Sequence, residues 1–362
     1  MFGTVRTIWA LMVVVGHLFW VSDFGRFAVF GFYILSGYLM TYVIQKNYGY
    51  SHTSKIKFAT NRFLRLFPAY WIACATTILL IIILGGSQDG KYAIMTIPNT
   101  AISIIGNLTL IFPHWMPNQV EPRLSPATWA LTVELFFYTA IALGASKTLI
   151  RTSIWVVLSL LFILATYVLG LFWHARYFSI LAGSLPFSLG ALIFFIVKEN
   201  KTQLIPPILI HSPLYLFGAM LSIAIFVSIT ITRGLPLWAM EVLFYCSLFF
   251  SFFLVLSLAM GKPFLSFISI AVDKKLGDFS YPFYLLHYQA AAIASYLISG
   301  QITVFKGGTN LIAIFITFTI LVLLSFVIIK WVDSPIEKLR TKIKNTKIQK
   351  YKLSTTPFFV DK

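Results

Sequence analysis

Two residues near the start of the chain are equipped for chemistry in a place where polar groups are costly. The stretch RTIWALMVVVGHLFW, Arg6 to Trp20, is apolar apart from a fixed cation at its start and an imidazole eleven residues later, His17. Eleven residues is close to three helical turns, so both side chains lie nearly on one face, about 16 Å apart along the axis. A charge at the centre of a membrane helix costs roughly 2.5–3.5 kcal/mol on insertion scales, which makes such a residue a functional candidate by default. Arginine supplies a permanent positive charge with forked donors, and histidine an acid/base group that titrates near neutral pH. Each alone has a plain explanation, snorkelling for Arg6 and a core hydrogen bond for His17. Their shared stripe points to a lined path through a membrane.

Three further groups join them. Arg62 and Arg65, in KIKFATNRFLRLFPAYW, are three apart and hence neighbours on one helical face. They suit either a basic interfacial anchor or an anion site, phosphate above all. Glu134, in PATWALTVELFFY, sits in an apolar segment with no charge beside it. Counted from the far end of its segment it falls in the same half as His17, where a carboxylate could orient a histidine. His287, in LGDFSYPFYLLHYQ, lies mid-segment and also suits a hydrogen bond between helices. Asp23, His114, Glu121 and Arg123 fall in connectors that could border an acceptor cleft. No Gly-rich phosphate loop, HExxH metal motif or GxSxG elbow occurs, so no metal or bound cofactor is expected.

The elements that must position these groups follow from composition. Of 362 residues, 59% are hydrophobic and only 11% charged, and the mean hydropathy is +0.86. That profile belongs to an all-α integral membrane protein rather than a soluble domain. Mostly apolar windows long enough to cross a core of about 30 Å recur near 4–22, 27–45, 68–85, 126–145, 152–173, 177–197, 213–232, 237–259, 277–299 and 310–332. The expected architecture is therefore a polytopic bundle of about ten transmembrane helices. The apolar stretch 99–112, between Pro98 and Pro113, is too short to span and reads as an interfacial or re-entrant piece.

The net charge of +17 does not mark a nucleic-acid binder, because the basic residues lie in connectors and the tail. With the N-terminus inside, 21 of the 28 Lys and Arg residues fall in inner connectors and six in outer ones, which places both termini in the cytoplasm. Residues 338–362 read as a basic cytoplasmic tail held near anionic lipid, and residues 1–337 as one membrane domain. Cys74 and Cys246 lie in apolar segments and carry no redox message. No small-residue cleavage site follows the first apolar run, so it is expected to be retained.

Several stretches together resemble the membrane acyltransferase-3 family, which includes O-acetyltransferases of bacterial surface glycans. They are Arg6-x10-His17, FAVFGFYILSGYLM with Ser36 and Gly37, NRFLRLFPAYW, TWALTVELFFY, LPFSLGALIF and LGDFSYPFYLLH, in the family's order. The family's Glu-x-Pro at the end of its last span is here Asp333-Ser334-Pro335. An SGNH-type esterase domain, which some relatives carry after the last span, is not expected here.

The resemblance implies a multi-pass enzyme of the bacterial inner membrane. It would pass an acetyl or larger acyl group from cytoplasmic acetyl-CoA, its donor substrate, to a hydroxyl of a glycan or lipid-linked saccharide such as an O-antigen or exopolysaccharide unit. His17, Arg6 and Glu134 then become the catalytic candidates, Arg62 and Arg65 the donor-binding ones, and Ser36, His287 and Asp333 supporting ones. The alternative is a polytopic transporter or flippase of a lipid-linked glycan, with the same charges as a substrate path; the absence of an internal repeat speaks against it.

Overall fold

The computed structural model describes residues 2–19, 24–84, 96–302 and 311–353. The described residues form helices and connecting segments with no strand, as the composition requires. The helices are α1 (Gly3–Leu18), α2 (Phe24–Val43), α3 (His52–Leu84), the short α4 (Ala101–Thr109), α5 (Trp129–Leu143), α6 (Leu149–Val168), the short α7 (Trp173–Phe178), α8 (Ser184–Lys198), α9 (Pro213–Thr230), α10 (Leu237–Ala259), α11 (Ile270–Ser299), α12 (Leu311–Ile328) and α13 (Ser334–Leu353). Polar side chains start several of them: Thr148 accepts from Arg151 N–H at α6, and Ser269 from Val272 N–H at α11.

Eight described helices are long and apolar enough to cross a membrane. Two of the ten expected spans fall outside that set. Helix α1 has 16 residues to Leu18, and the end of its expected span, with Asp23 just beyond, lies outside the described residues. Helix α11 is long, but its first turns carry Asp273, Lys274, Lys275 and Asp278. The outer faces of α6 and α12 are apolar: Leu158, Leu161, Leu164, Phe315, Leu323 and Phe326 are all exposed. Such surface is stable against hydrocarbon and not against water.

Polar and aromatic groups face inward instead. The expected re-entrant stretch becomes α4, started by a Thr100–Ser103 capping box, and Leu110 and Phe112 just after it are fully buried. Arg176 and Glu241 form a buried bidentate pair at 3.0 and 2.9 Å.

Glycines set the closest approaches. A Cβ on Gly190 of α8 would stand 1.9 Å from the Ile34 carbonyl oxygen of α2, so these two helices meet backbone to backbone. The pair that positions the candidate site is α1 and α11, which run parallel. A Cβ on Gly277 would meet the Gly3 Cα at 2.7 Å, and the Thr7 hydroxyl donates to the Leu276 carbonyl at 2.5 Å. Small residues at a membrane helix interface permit this contact. Gly277→Ala forces two backbones apart and is expected to cost about 1–3 kcal/mol, read as a lower thermal midpoint of the detergent-solubilised protein.

Asp273 closes the same interface from the other side. Its carboxylate accepts from Gly3 N–H and Thr4 N–H, both at 2.9 Å, and from the Thr4 hydroxyl at 2.8 Å, capping α1 from a residue 270 positions away. Burial pushes this carboxyl up, but the bonds from Thr4 and Gly3 together outweigh burial and hold it below the usual carboxylate range. A carboxyl depressed in the folded state stabilises the fold above its unfolded pKa, and that stability fades as the pH falls through the folded value. The wild-type thermal midpoint is therefore expected to drop below about pH 4. Asp273→Asn, with one acceptor oxygen fewer, lowers the neutral-pH stability by about 1–3 kcal/mol and flattens that acid dependence.

Candidate active site

The parallel register of α1 and α11, with α2, α3 and α5 beside them, encloses a cavity of about 990 Å³ at the end of the bundle that carries Phe2. Four guanidinium groups line it: Arg6 from α1, Arg62 and Arg65 from α3, and Arg340 from α13. Asn61, 4% exposed, links two of them, its Oδ1 accepting from Arg62 at 2.9 Å and from Arg340 at 3.2 and 3.3 Å. Arg65 faces Asp333 at 3.5 Å. That aspartate ends a π-helical turn, Ile329–Asp333, joining α12 to α13; such turns re-aim side chains within an otherwise regular helix. The buried Nε of Arg62 has no partner. Among the described residues no side-chain hydrogen bond or ion pair holds Arg6, although Glu134 and Asp278 line the same cavity.

Across the cavity, the Ser36 hydroxyl donates to Glu134 at 2.6 Å, and Tyr138 lines the same wall. The deeper wall is aromatic. Tyr33 and Tyr284 border it, and both hydroxyls are spent on α5-side carbonyls, Ala130 at 3.2 Å and Ala127 respectively.

One turn beyond Tyr284 lies a second constellation. His17 Nδ1 and His287 Nε2 are 2.9 Å apart, with ring planes within 19°. His287 is wholly buried, whereas His17 is exposed. Tyr288 packs on both rings, its centroid 4.5 Å from that of His287 and 5.5 Å from that of His17.

The structure thus brings Arg6, Arg62, Arg65, Ser36, Glu134 and Asp333 to one cavity, and sets His17 with His287 beyond its wall. Glu134 does not reach His17, contrary to the depth read from its segment. The reason is the loop before α5. Ser125 donates to the Leu285 carbonyl at 3.1 Å, so the chain enters α5 at the level of the histidines rather than at a surface. Glu134, nine residues further, therefore arrives at the level of Arg6.

Of the connector candidates, Arg123 is buried and donates to the carbonyls of Asn118, Val120 and Pro126, with Glu121 at 3.3 Å. It knits its own loop together. His114 bonds within its turn to Met116. Arg340 went unnoticed as a cavity residue because its surroundings read as a basic tail, although its spacing three after Glu337 already placed both on one helical face.

A permanently charged pocket at one end and a partnered, accessible imidazole at the other are parts suited to holding an anionic donor and moving a proton. Comparison with family models gives a match, described as an acyltransferase domain of the acyltransferase-3 type, over residues 3–331. The chain belongs to the acyltransferase-3 family. No SGNH-type domain is found in it. Comparisons with curated proteins and with solved structures find no match. The family match stops short of Asp333 and Arg340, so one side of this acyltransferase's cavity comes from residues beyond the matched segment.

Proposed function

We propose that this membrane acyltransferase takes an acetyl or larger acyl group from acetyl-CoA on the cytoplasmic side and transfers it to a hydroxyl of a glycan, free or lipid-linked, on the far side of the bacterial inner membrane. The observation that carries this reading is the cavity with Arg6, Arg62, Arg65 and Arg340 on its walls, at the end of the bundle that also gathers the basic connectors. Guanidinium groups bind phosphate oxygens bidentately, and here they sit where a polyphosphorylated donor would enter. Both termini then face the cytoplasm, in agreement with the bias of positive charge.

In this reading the arginines hold the donor's phosphates and its acyl thioester extends toward the aromatic wall. His17 Nε2 takes the proton of the acceptor hydroxyl as the oxygen bonds to the thioester carbonyl carbon. The carbon–sulfur bond breaks, and the proton passes from His17 to the departing thiolate, leaving coenzyme A and the O-acyl product. Arg6 opposes negative charge in the donor, and the Ser36–Glu134 pair offers polar contacts at the same depth.

The test is mass spectrometry of surface glycan from cells lacking the gene, with and without the wild-type gene restored. Restoration of an acyl ester to one sugar supports the proposal and names the acceptor. An acyl pattern identical in both strains refutes the glycan assignment.

A further inference from the structure

His287 makes two hydrogen-bonding contacts, and together they set the protonation pattern of both histidines. Its Nδ1 lies 3.2 Å from the Phe283 carbonyl oxygen. A carbonyl only accepts, so Nδ1 carries the hydrogen. The ring is wholly buried, and a buried imidazolium without a counter-ion is costly, so His287 is neutral and its Nε2 presents a lone pair. That lone pair faces His17 Nδ1 at 2.9 Å, which must therefore be the donor. The remaining lone pair of His17 is then on Nε2, on the far side of the ring. One backbone carbonyl on α11 thus sets the tautomer of a residue on α1, through a relay held in plane by Tyr288.

We infer that His287 is a positioning residue for acyl transfer, holding His17 in the tautomer whose Nε2 is free to accept a proton. The inference rests on the reading of His17 as the base. His287 does not meet the substrate, since it is buried behind His17. When His17 takes a proton on Nε2, its Nδ1–H already has an acceptor, so the imidazolium forms without reorganisation. The register that brings the rings together is the one fixed by Gly3, Gly277 and Asp273 near the opposite end of α1.

Two amide variants separate this role from packing. In His287→Gln the terminal amide overlies the Nε2 position and its oxygen can accept from His17. In His287→Asn the amide overlies Nδ1 and leaves the Nε2 position empty. With acetyl-CoA and the glycan acceptor, Gln is expected to retain most of the turnover. Asn is expected to lose at least about 10-fold in kcat with KM for the donor little changed, a smaller loss than His17→Ala shows. Equal activity of Asn and Gln, at matched thermal midpoints, overturns the inference.

Nitrogen-15 NMR of histidine-labelled wild-type protein reads the tautomers without any His287 variant, with His17→Ala supplying the assignment. Neutral Nδ1–H rings are expected for His17 and His287 among the six histidines, and a His17 ring protonated on Nε2 overturns the proposal. An inactive His17→Ala beside a fully active His287→Asn sinks the positioning role alone. A fully active His17→Ala sinks the function on which it rests.

Discussion

His17→Ala is expected to lower acyl transfer by a factor of about 10² to 10⁴, the range spanned by a positioned acid/base group, while the protein remains folded. The geometry separates the two effects. His17 is exposed, and its ring contacts are confined to His287 and Tyr288. Its single side-chain hydrogen bond among the described residues is to His287. Truncation leaves the His287 lone pair facing open space, where water can replace the lost donor. The residues that bind α1 to α11, Gly3, Thr4, Thr7 and Asp273, lie some three turns away and are untouched. Donor binding in the proposed arginine site is likewise expected to be untouched, because His17 does not line that cavity. The measurement is steady-state transfer by purified enzyme, together with the donor dissociation constant and the thermal midpoint. A fall in kcat at constant donor affinity and stability is the expected outcome. A variant that still transfers at the wild-type rate removes His17 from the chemistry. Transfer in detergent, without a membrane gradient, also separates an acyltransferase from the flippase alternative.

The sequence carried the helices and the grouping of the arginines because both are local properties. Apolar runs of spanning length, and the three-residue spacing of Arg62 and Arg65, depend on near neighbours alone. The partner of His17 was not legible. The positions of Arg6 and His17 on α1 and of His287 on α11 show where each helix carries polar groups but not that those groups meet, and the contacts that pin the register join residues about 270 positions apart. Glu134 was misplaced in depth because counting from the end of a hydrophobic window assumes that the window begins at a surface. The loop ahead of α5 instead enters the bundle, with Ser125 bonded to α11. Arg340 was read as part of a solvated tail, since a net positive helix with low hydropathy looks the same whether it drifts in water or walls a charged cavity. What distinguishes it is Asn61, which binds it to α3.

Arg6→Gln is expected to reduce kcat/KM for acyl transfer by about 10² to 10³, the loss typical of removing one preorganised electrostatic stabiliser, without lowering the thermal midpoint. Most buried arginines would behave differently. Arg176 holds both oxygens of Glu241, and truncating it would strand a buried carboxylate at a cost of about 3–5 kcal/mol. Arg6 has no such bond, and Glu134, which lines the same cavity, already accepts from Ser36. Its charge thus stands in the cavity beside three other guanidinium groups with no bonded counter-ion, the pattern of a group kept for a ligand rather than for the fold. Glutamine keeps a shorter polar side chain with amide donors and removes the charge. Arg6→Lys keeps the charge without the forked donors and should fall between the two. Transfer kinetics and thermal melts on the same preparations decide the point. A glutamine variant that unfolds shows Arg6 to be structural, and one with unchanged kcat/KM shows that the donor's charge is met by Arg62, Arg65 and Arg340 alone.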